Sequence, residues 1–302
     1  MISIEGAFDL HVHSAPSLFE RPYTAFEIAE AAIKQGMAGI VLKHHFEPSV
    51  TRAMAVQKAF PNEIAVLGGI VLNRAVGGLN PYAVLTAIKQ GGKVVWFPTV
   101  DAHNHFSYFG RASSYDEKTA GDGGPRLIGG DEGFERLTRG PGITVLDESG
   151  VLKPEAIEII EICKEHDVVL GTAHLGREET FAVNRCAVDL GHKRLLLGHA
   201  LWKPLGLSDE DLIALADMGV TIEFAASISL PIPNHAAPRK VVETIYKIGP
   251  ERCVLSSDAG AAVFPIVPEA LRSYVQCLAD TGLNEADARM MMVDNPRKLL
   301  GI

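Results

Sequence analysis

Asp9-Leu10-His11-Val12-His13 lies near the amino terminus, inside a stretch from Ile4 to Ser14 that reads as a β-strand opening into a polar mouth. In an extended strand, side chains two residues apart share a face, so His11 and His13 are expected to look the same way, with Asp9 behind them. Neutral imidazole is a favoured ligand for a borderline metal such as zinc, and two converging imidazoles begin a site. Alone, a His-x-His pair is equally two polar residues at a strand end, so its meaning depends on the rest of the chain.

The rest of the chain alternates. Short buried-looking strands are expected at 37–42, 64–72, 93–97, 168–173, 194–198, 220–224 and 253–257. Segments of helical periodicity stand between them, from 23–35 to 285–293, with stops such as Gly36 and Gly91-Gly92 and a cap at Asn80. Eight strands each followed by a helix, with no composition break, predict one α/β unit over 1–302, a (β/α)8 TIM barrel whose chemistry sits at the carboxyl ends of its strands. At 302 residues the chain suits such a barrel plus an insertion. A doubly wound open sheet is the competing architecture, disfavoured because no Gly-x-Gly-x-x-Gly follows a strand. Between about 101 and 150 the periodicity lapses and glycines cluster, so this insertion after strand 4 is read as an irregular lid.

Composition excludes several classes. A formal charge of −9 without a basic run argues against nucleic acid as a partner. Cys163, Cys186, Cys253 and Cys277 are scattered without a C-x-x-C pair, which suits small buried apolar residues and not a disulfide framework or thiolate site. Neither a signal-peptide pattern nor an apolar run of membrane-spanning length is seen, so a cytoplasmic location without membrane association is expected.

The strand ends carry a dense set of polar residues. Asp9, His11 and His13 end strand 1; Lys43, His44 and His45 end strand 2; Asn73 ends strand 3; Asp101, His103 and His105 follow strand 4. His174 ends strand 5, His199 strand 6, Glu223 and Ser227 lie at strand 7, and Asp258 ends strand 8. Four imidazoles and a carboxylate thus converge on one mouth. His45, Asp101, His103 and His105 are candidates to face substrate, as are Arg21 and Arg177, placed just beyond strand ends 1 and 5. Arg111, Arg126, Arg136 and Arg139 could clamp an anion from the lid. His166 and His192, at helix carboxyl ends, read as surface residues.

His11-x-His13, His174, His199 and Asp258, in that order, resemble the pattern of the amidohydrolase superfamily of metal-dependent barrels. The closing Asn295-Pro296 and Leu299-Leu300-Gly301 resemble its tail. The resemblance implies that these five residues hold one or two divalent ions, most simply zinc, with manganese or iron as other choices. It also implies that Asp258 acts as general base on an activated water. The implied reaction is hydrolysis of a small anionic amide, lactone or ester, and such barrels often pair with a second copy. The bridging lysine or glutamate that many members carry on strand 4 or 3 is replaced here by Asp101 and Asn73. Lys43 on strand 2 is then a displaced carboxylated lysine, a proton donor, an anion-binding cation, or a rim lysine paired with an acid. His44 or His45 after an apolar strand also resembles the polymerase-and-histidinol-phosphatase phosphoesterases. The same residues would equally serve a decarboxylase or hydratase on this fold, or a non-catalytic metal-binding protein.

Overall fold

In a computed structural model, which describes residues 2–109, 141–229 and 235–302, eight strands form one parallel sheet in the order of the chain. They are β1 (Phe8–Val12), β2 (Gly39–Leu42), β3 (Ala65–Val71), β4 (Val94–Trp96), β5 (Val169–Gly171), β6 (Leu195–Leu197), β7 (Thr221–Ala225) and β8 (Cys253–Ser256). The ends of the sheet meet where Val12 bridges Ala259, with the His13 N–H donating to the Ala259 carbonyl at 2.9 Å. The expected (β/α)8 barrel is therefore the observed one.

Binary patterning builds its two layers. On β2 through β6, residues such as Ile40, Leu42, Ile70, Val95, Leu170 and Leu197 face outward onto the helices. Alternate residues, Val41, Val71, Val94, Trp96, Val169, Leu196 and Val254, fill the interior. Trp96 is the largest interior side chain and fits because its neighbours are glycines. A Cβ on Gly171 would lie 2.7 Å, and one on Gly69 2.9 Å, from its indole. Leu299 and Leu300 join this interior cluster.

β1 breaks the alternation, and the break positions the site. Phe8 and Leu10 belong to the interior cluster, which by strict alternation would turn His11 and His13 outward. The register between β1 and β2 shifts between Asp9 and Val12, and beyond this bulge Val12 packs in the outer layer while His11 and His13 point inward. Asp9 satisfies the backbone groups that the bulge leaves unpaired. Fully buried, it accepts from the His11 N–H (3.1 Å) and from the Ser257 N–H (3.1 and 3.2 Å), joining β1 to β8. It therefore braces the strand and does not face the mouth.

The helices follow the predicted order, and local chemistry explains several of their starts. Thr24 makes a capping box with Glu27 ahead of Ala25–Lys34, Asn80 caps Pro81–Lys89 and Ser208 caps Asp209–Asp217. The tail departs from the single helix expected over 285–293: Glu285–Arg289 passes through a π-helical turn, Met290–Asp294, into Asn295–Leu300. Asn295 donates to the carbonyls of Pro250 and Cys253, which anchors the tail beneath β8.

Other expectations need correction. The segment after β4 is not irregular from its start, because His103–Phe109 is a short helix. The remainder of the expected lid, with Arg111, Arg126, Arg136 and Arg139, lies outside the described residues. Cys277 is exposed, since it sits on the outer face of Val267–Asp280, whereas Cys163 and Cys253 are buried as expected. His192 is buried, not a surface residue, because it follows the turn that returns the chain beneath β6. No helix among the described residues is long and apolar enough to cross a membrane.

The brace on the bulge can be tested directly. Asp9→Ala strands two buried N–H groups, each worth about 1–3 kcal/mol, so denaturant unfolding should show a loss of about 2–6 kcal/mol. Asp9→Asn, which keeps one acceptor, should lose less than Asp9→Ala. Equal stability of wild type and Asp9→Ala would refute the role.

Candidate metal centre

Three strand ends bend the backbone to aim a side chain. Ala173 (φ 51°), His199 (φ 58°) and Asp258 (φ 50°) occupy the left-handed region, at the ends of β5, β6 and β8. For residues with a Cβ this conformation costs on the order of 1–2 kcal/mol each, and it recurs where a site requires a particular direction. The three turns bring His174, His199 and Asp258 to the mouth that His11 and His13 enter from β1.

Asp258 is the hub. Its Oδ1 lies 3.0 Å from His11 Nε2 and 3.1 Å from His13 Nε2, and its Oδ2 lies 3.7 Å from His199 Nδ1. One donor atom each from His11, His199 and Asp258 lie within 4.8 Å of one another, which fits a site for a single ion. His13 joins through Asp258, and the His174 ring stands edge-on to His199 at 5.1 Å between centroids. Of the five expected ligands, the structure gathers donor atoms of His11, His199 and Asp258, with His13 against Asp258 and His174 against the His199 ring.

Charge sharpens the fit. Glu223, buried on β7, accepts from His11 Nδ1 at 3.2 and 3.3 Å and from the His199 N–H at 3.3 Å. Ser256 also donates to it, and Gly198 leaves it room: a Cβ there would lie 3.1 Å from Oε2. A carboxylate on Nδ1 fixes the tautomer that turns Nε2 toward the mouth, the arrangement that accompanies metal-ligating histidines. In the linear sequence Glu223 is only one polar residue near strand 7. The period-2 pattern of Thr221, Glu223 and Ala225 against Ile222 and Phe224 is the signal that it points inward.

The buried Glu223 and the half-buried Asp258 thus flank His11, and they demand positive charge. Burial depresses the His11 pKa, but Asp258 and Glu223 outweigh it and lift it to about 9. Lys43 is buried at the end of β2, over the Trp96 ring at 5.4 Å, with Nζ 3.1 Å from His11 Nε2. Burial lowers its pKa to about 8 against the pull of Asp258 and Glu223. Both values lie above 7, so at neutral pH the pair carries cationic charge beside Asp258, as a divalent ion would. His13, His174 and His199 are held neutral by burial, His199 at about 3, and a neutral imidazole is the form that ligates.

The remaining candidates divide. His45 is buried, stacks on His13 at 4.7 Å and bonds Thr99 Oγ1 through Nδ1 at 2.9 Å, so it borders the candidate ligands. Arg21 lies over the Phe19 ring at 5.7 Å, near enough to depress the titration of His13 and His45. Asp101 is buried and accepts from the Arg74 N–H at 2.9 Å, fastening the turn after β3. Asn73 is occupied with Thr99 and the His45 carbonyl. Arg177 is held by Asp211 (2.6 and 2.9 Å) and packs on Phe181, so it braces two helices. His103 is exposed and pairs with Ser107 on its own helix, whereas His105 is fully buried against His174.

Two measurements probe this centre. Because an ion must displace the proton held by His11, apparent zinc affinity should rise about tenfold per pH unit from pH 7 toward about 9; a flat profile would show that no such proton is displaced. Glu223→Gln, which keeps shape but removes charge, should weaken zinc binding about 10- to 100-fold in a chelator competition. Unchanged affinity would show Glu223 to be dispensable.

The barrel has counterparts among solved structures. The probable dipeptidase PvdM from Pseudomonas aeruginosa is 12% identical, with a TM-score of 0.62 over 99% of this chain and 95% of that one. N-acetyl-D-glucosamine-6-phosphate deacetylase from Mycobacterium smegmatis is 17% identical, with a TM-score of 0.53 over 99% of this chain and 76% of that one. 2,6-Dihydroxybenzoate decarboxylase from Rhizobium is 13% identical, with a TM-score of 0.54 over 98% and 99%. At these identities the likeness is one of fold, the (β/α)8 barrel. Comparison of the sequence with curated proteins finds no match. A family model, described as a family of unknown function and designated DUF6282, matches residues 6–223. The chain belongs to the DUF6282 family, and it builds that family's sequence into a (β/α)8 barrel.

Proposed function

We propose that the chain is a metal-dependent hydrolase of a small anionic amide, lactone or ester, with His11, His13, His174, His199 and Asp258 holding one or two divalent ions. The observation that carries this reading is Asp258: one half-buried carboxylate at the barrel mouth faces His11 and His13 with one oxygen and His199 with the other. The all-nitrogen and carboxylate donor set favours zinc. A bound divalent ion supplies Lewis acidity, which acidifies water and polarises a carbonyl.

The chain's own residues supply the rest. Asp258 takes a proton from the attacking water and passes it to the leaving group. Burial would raise its pKa, but the His11 and His13 contacts outweigh burial and hold it well below the usual carboxylate value, so it is ionised and ready to accept. Lys43 and Arg21 place positive charge at the mouth, which favours an anionic substrate. With Nδ1 engaged by Thr99, His45 presents Nε2 as the nitrogen that meets a substrate. Trp202, 4.6 Å from His174 and 5.4 Å from His199 between ring centroids, supplies an apolar wall against water. A phosphoesterase is disfavoured because Asn73, rather than a carboxylate, ends β3, and its amide is engaged by Thr99 and His45.

The test is turnover by zinc-loaded protein on a panel of carboxylate-bearing lactones, N-acyl compounds and esters, with product identification. Hydrolytic products are expected, and Asp258→Asn should lower kcat by about 10²–10⁴-fold while zinc is retained. Full activity in Asp258→Asn would overturn the assigned role. Release of carbon dioxide would make the chain a lyase.

A further inference from the structure

The sequence His103-Asn104-His105 offers two histidines after β4, and the structure separates them completely. His103 is exposed, whereas His105, on the inner face of the short helix, is fully buried. Its Nδ1 lies 3.1 Å from His174 Nδ1, with the two rings within 16° of parallel, the geometry of an in-plane hydrogen bond. The residue between them reinforces the contact: Asn104 donates to the backbone carbonyl of His174 at 3.2 Å and to that of Pro204 at 2.8 Å. The helix is thus fastened to His174 twice, once through its main chain and once through its ring. Trp202 packs on both imidazoles, at 4.6 Å from His174 and 6.0 Å from His105, which restricts reorientation of either.

An Nδ1···Nδ1 hydrogen bond contains one proton, and its location decides what His174 can do. If His105 donates, His174 carries its own proton on Nε2, and both of its nitrogens are engaged. If His174 donates, its Nε2 keeps a lone pair and can ligate. A neutral imidazole has a single ring proton to place, and the ligating form of histidine is the neutral one.

We infer that His105 is a positioning residue that accepts the Nδ1–H of His174 and thereby presents His174 Nε2 as a donor to the metal centre. This deepens the proposed function and rests on His174 being a ligand. It also gives the centre a symmetry of construction: His11 is set by Glu223 from β7, and His174 is set by His105 from the segment after β4. The first partner carries a charge and the second is neutral, so the two histidines present donors of different basicity.

The tautomer is read without metal, by long-range ¹H–¹⁵N correlation spectra of protein labelled in its histidines. His174 is expected as the Nδ1–H form; finding it as the Nε2–H form in the wild type would overturn the inference. His105→Phe should abolish that preference and weaken zinc affinity about 10- to 100-fold in a chelator competition. His105→Asn, whose side-chain oxygen can accept in place of Nδ1, should recover most of it, and it serves if the phenylalanine variant does not fold. In a His174→Ala background, His105→Phe should cause no further loss. Wild-type affinity in His105→Phe, or an equal loss in the His174→Ala background, would refute the arrangement. A wild type that binds no zinc would count against the proposed function, while the metal-free tautomer would still decide the role of His105.

Discussion

A single displaced residue in β1 governs the interior of this barrel. Phe8 and Leu10 fill the interior from below, and without the bulge after Asp9 the next inward residue would be Val12. His11 and His13 would then point into the apolar layer between strands and helices, where an imidazole has no partner and burial is costly. Asp9 stabilises the bulge by accepting two backbone protons, one of them from β8, so the same carboxylate that turns the histidines inward also helps close the barrel. Its own pKa, raised by burial to about 6 against those hydrogen bonds, marks how far inside the sheet it sits.

The charge balance of the mouth depends on that arrangement. Glu223, buried, and Asp258, half-buried, lie within reach of one imidazole, a placement stable only with compensating positive charge. The compensation comes from the positive charge on His11 and on Lys43, whose ammonium is seated over Trp96. Trp96 can stand there because Gly69 and Gly171 flank it. Small residues in two strands, a large one between them and a lysine above form a column that carries cationic charge to the centre.

Strand ends 5, 6 and 8 solve a different problem. Their candidate ligand residues must turn across the mouth at once, and the left-handed conformations of Ala173, His199 and Asp258 supply that turn at a cost offset by the surrounding packing. Such strain is consistent with a mouth built for binding, since the opposite face, where Asn295 anchors the tail and Leu299 and Leu300 join the interior cluster, carries the ordinary stabilising contacts.

The eight-fold alternation, the order of the strands and the positions of His11, His13, His174, His199 and Asp258 were legible in the linear pattern, because strand and helix periodicities are local and each strand end follows directly from its strand. The partners of those residues were not. Glu223 and Lys43 acquire meaning only when β7 and β2 meet β1 through the closed sheet, and the inward direction of His11 depends on a register shift that alternation alone would have reversed. His103, His105, Asp101 and Arg177 were indistinguishable as polar residues near strand ends; packing left His103 in solvent, pressed His105 against His174, and gave Asp101 and Arg177 to Arg74 and Asp211. Sequence determined which ligand types reach the mouth, since that requires only position along each strand, whereas tertiary structure decided their tautomers, charges and neighbours, since those arise from contacts between residues as far apart as β1 and β8.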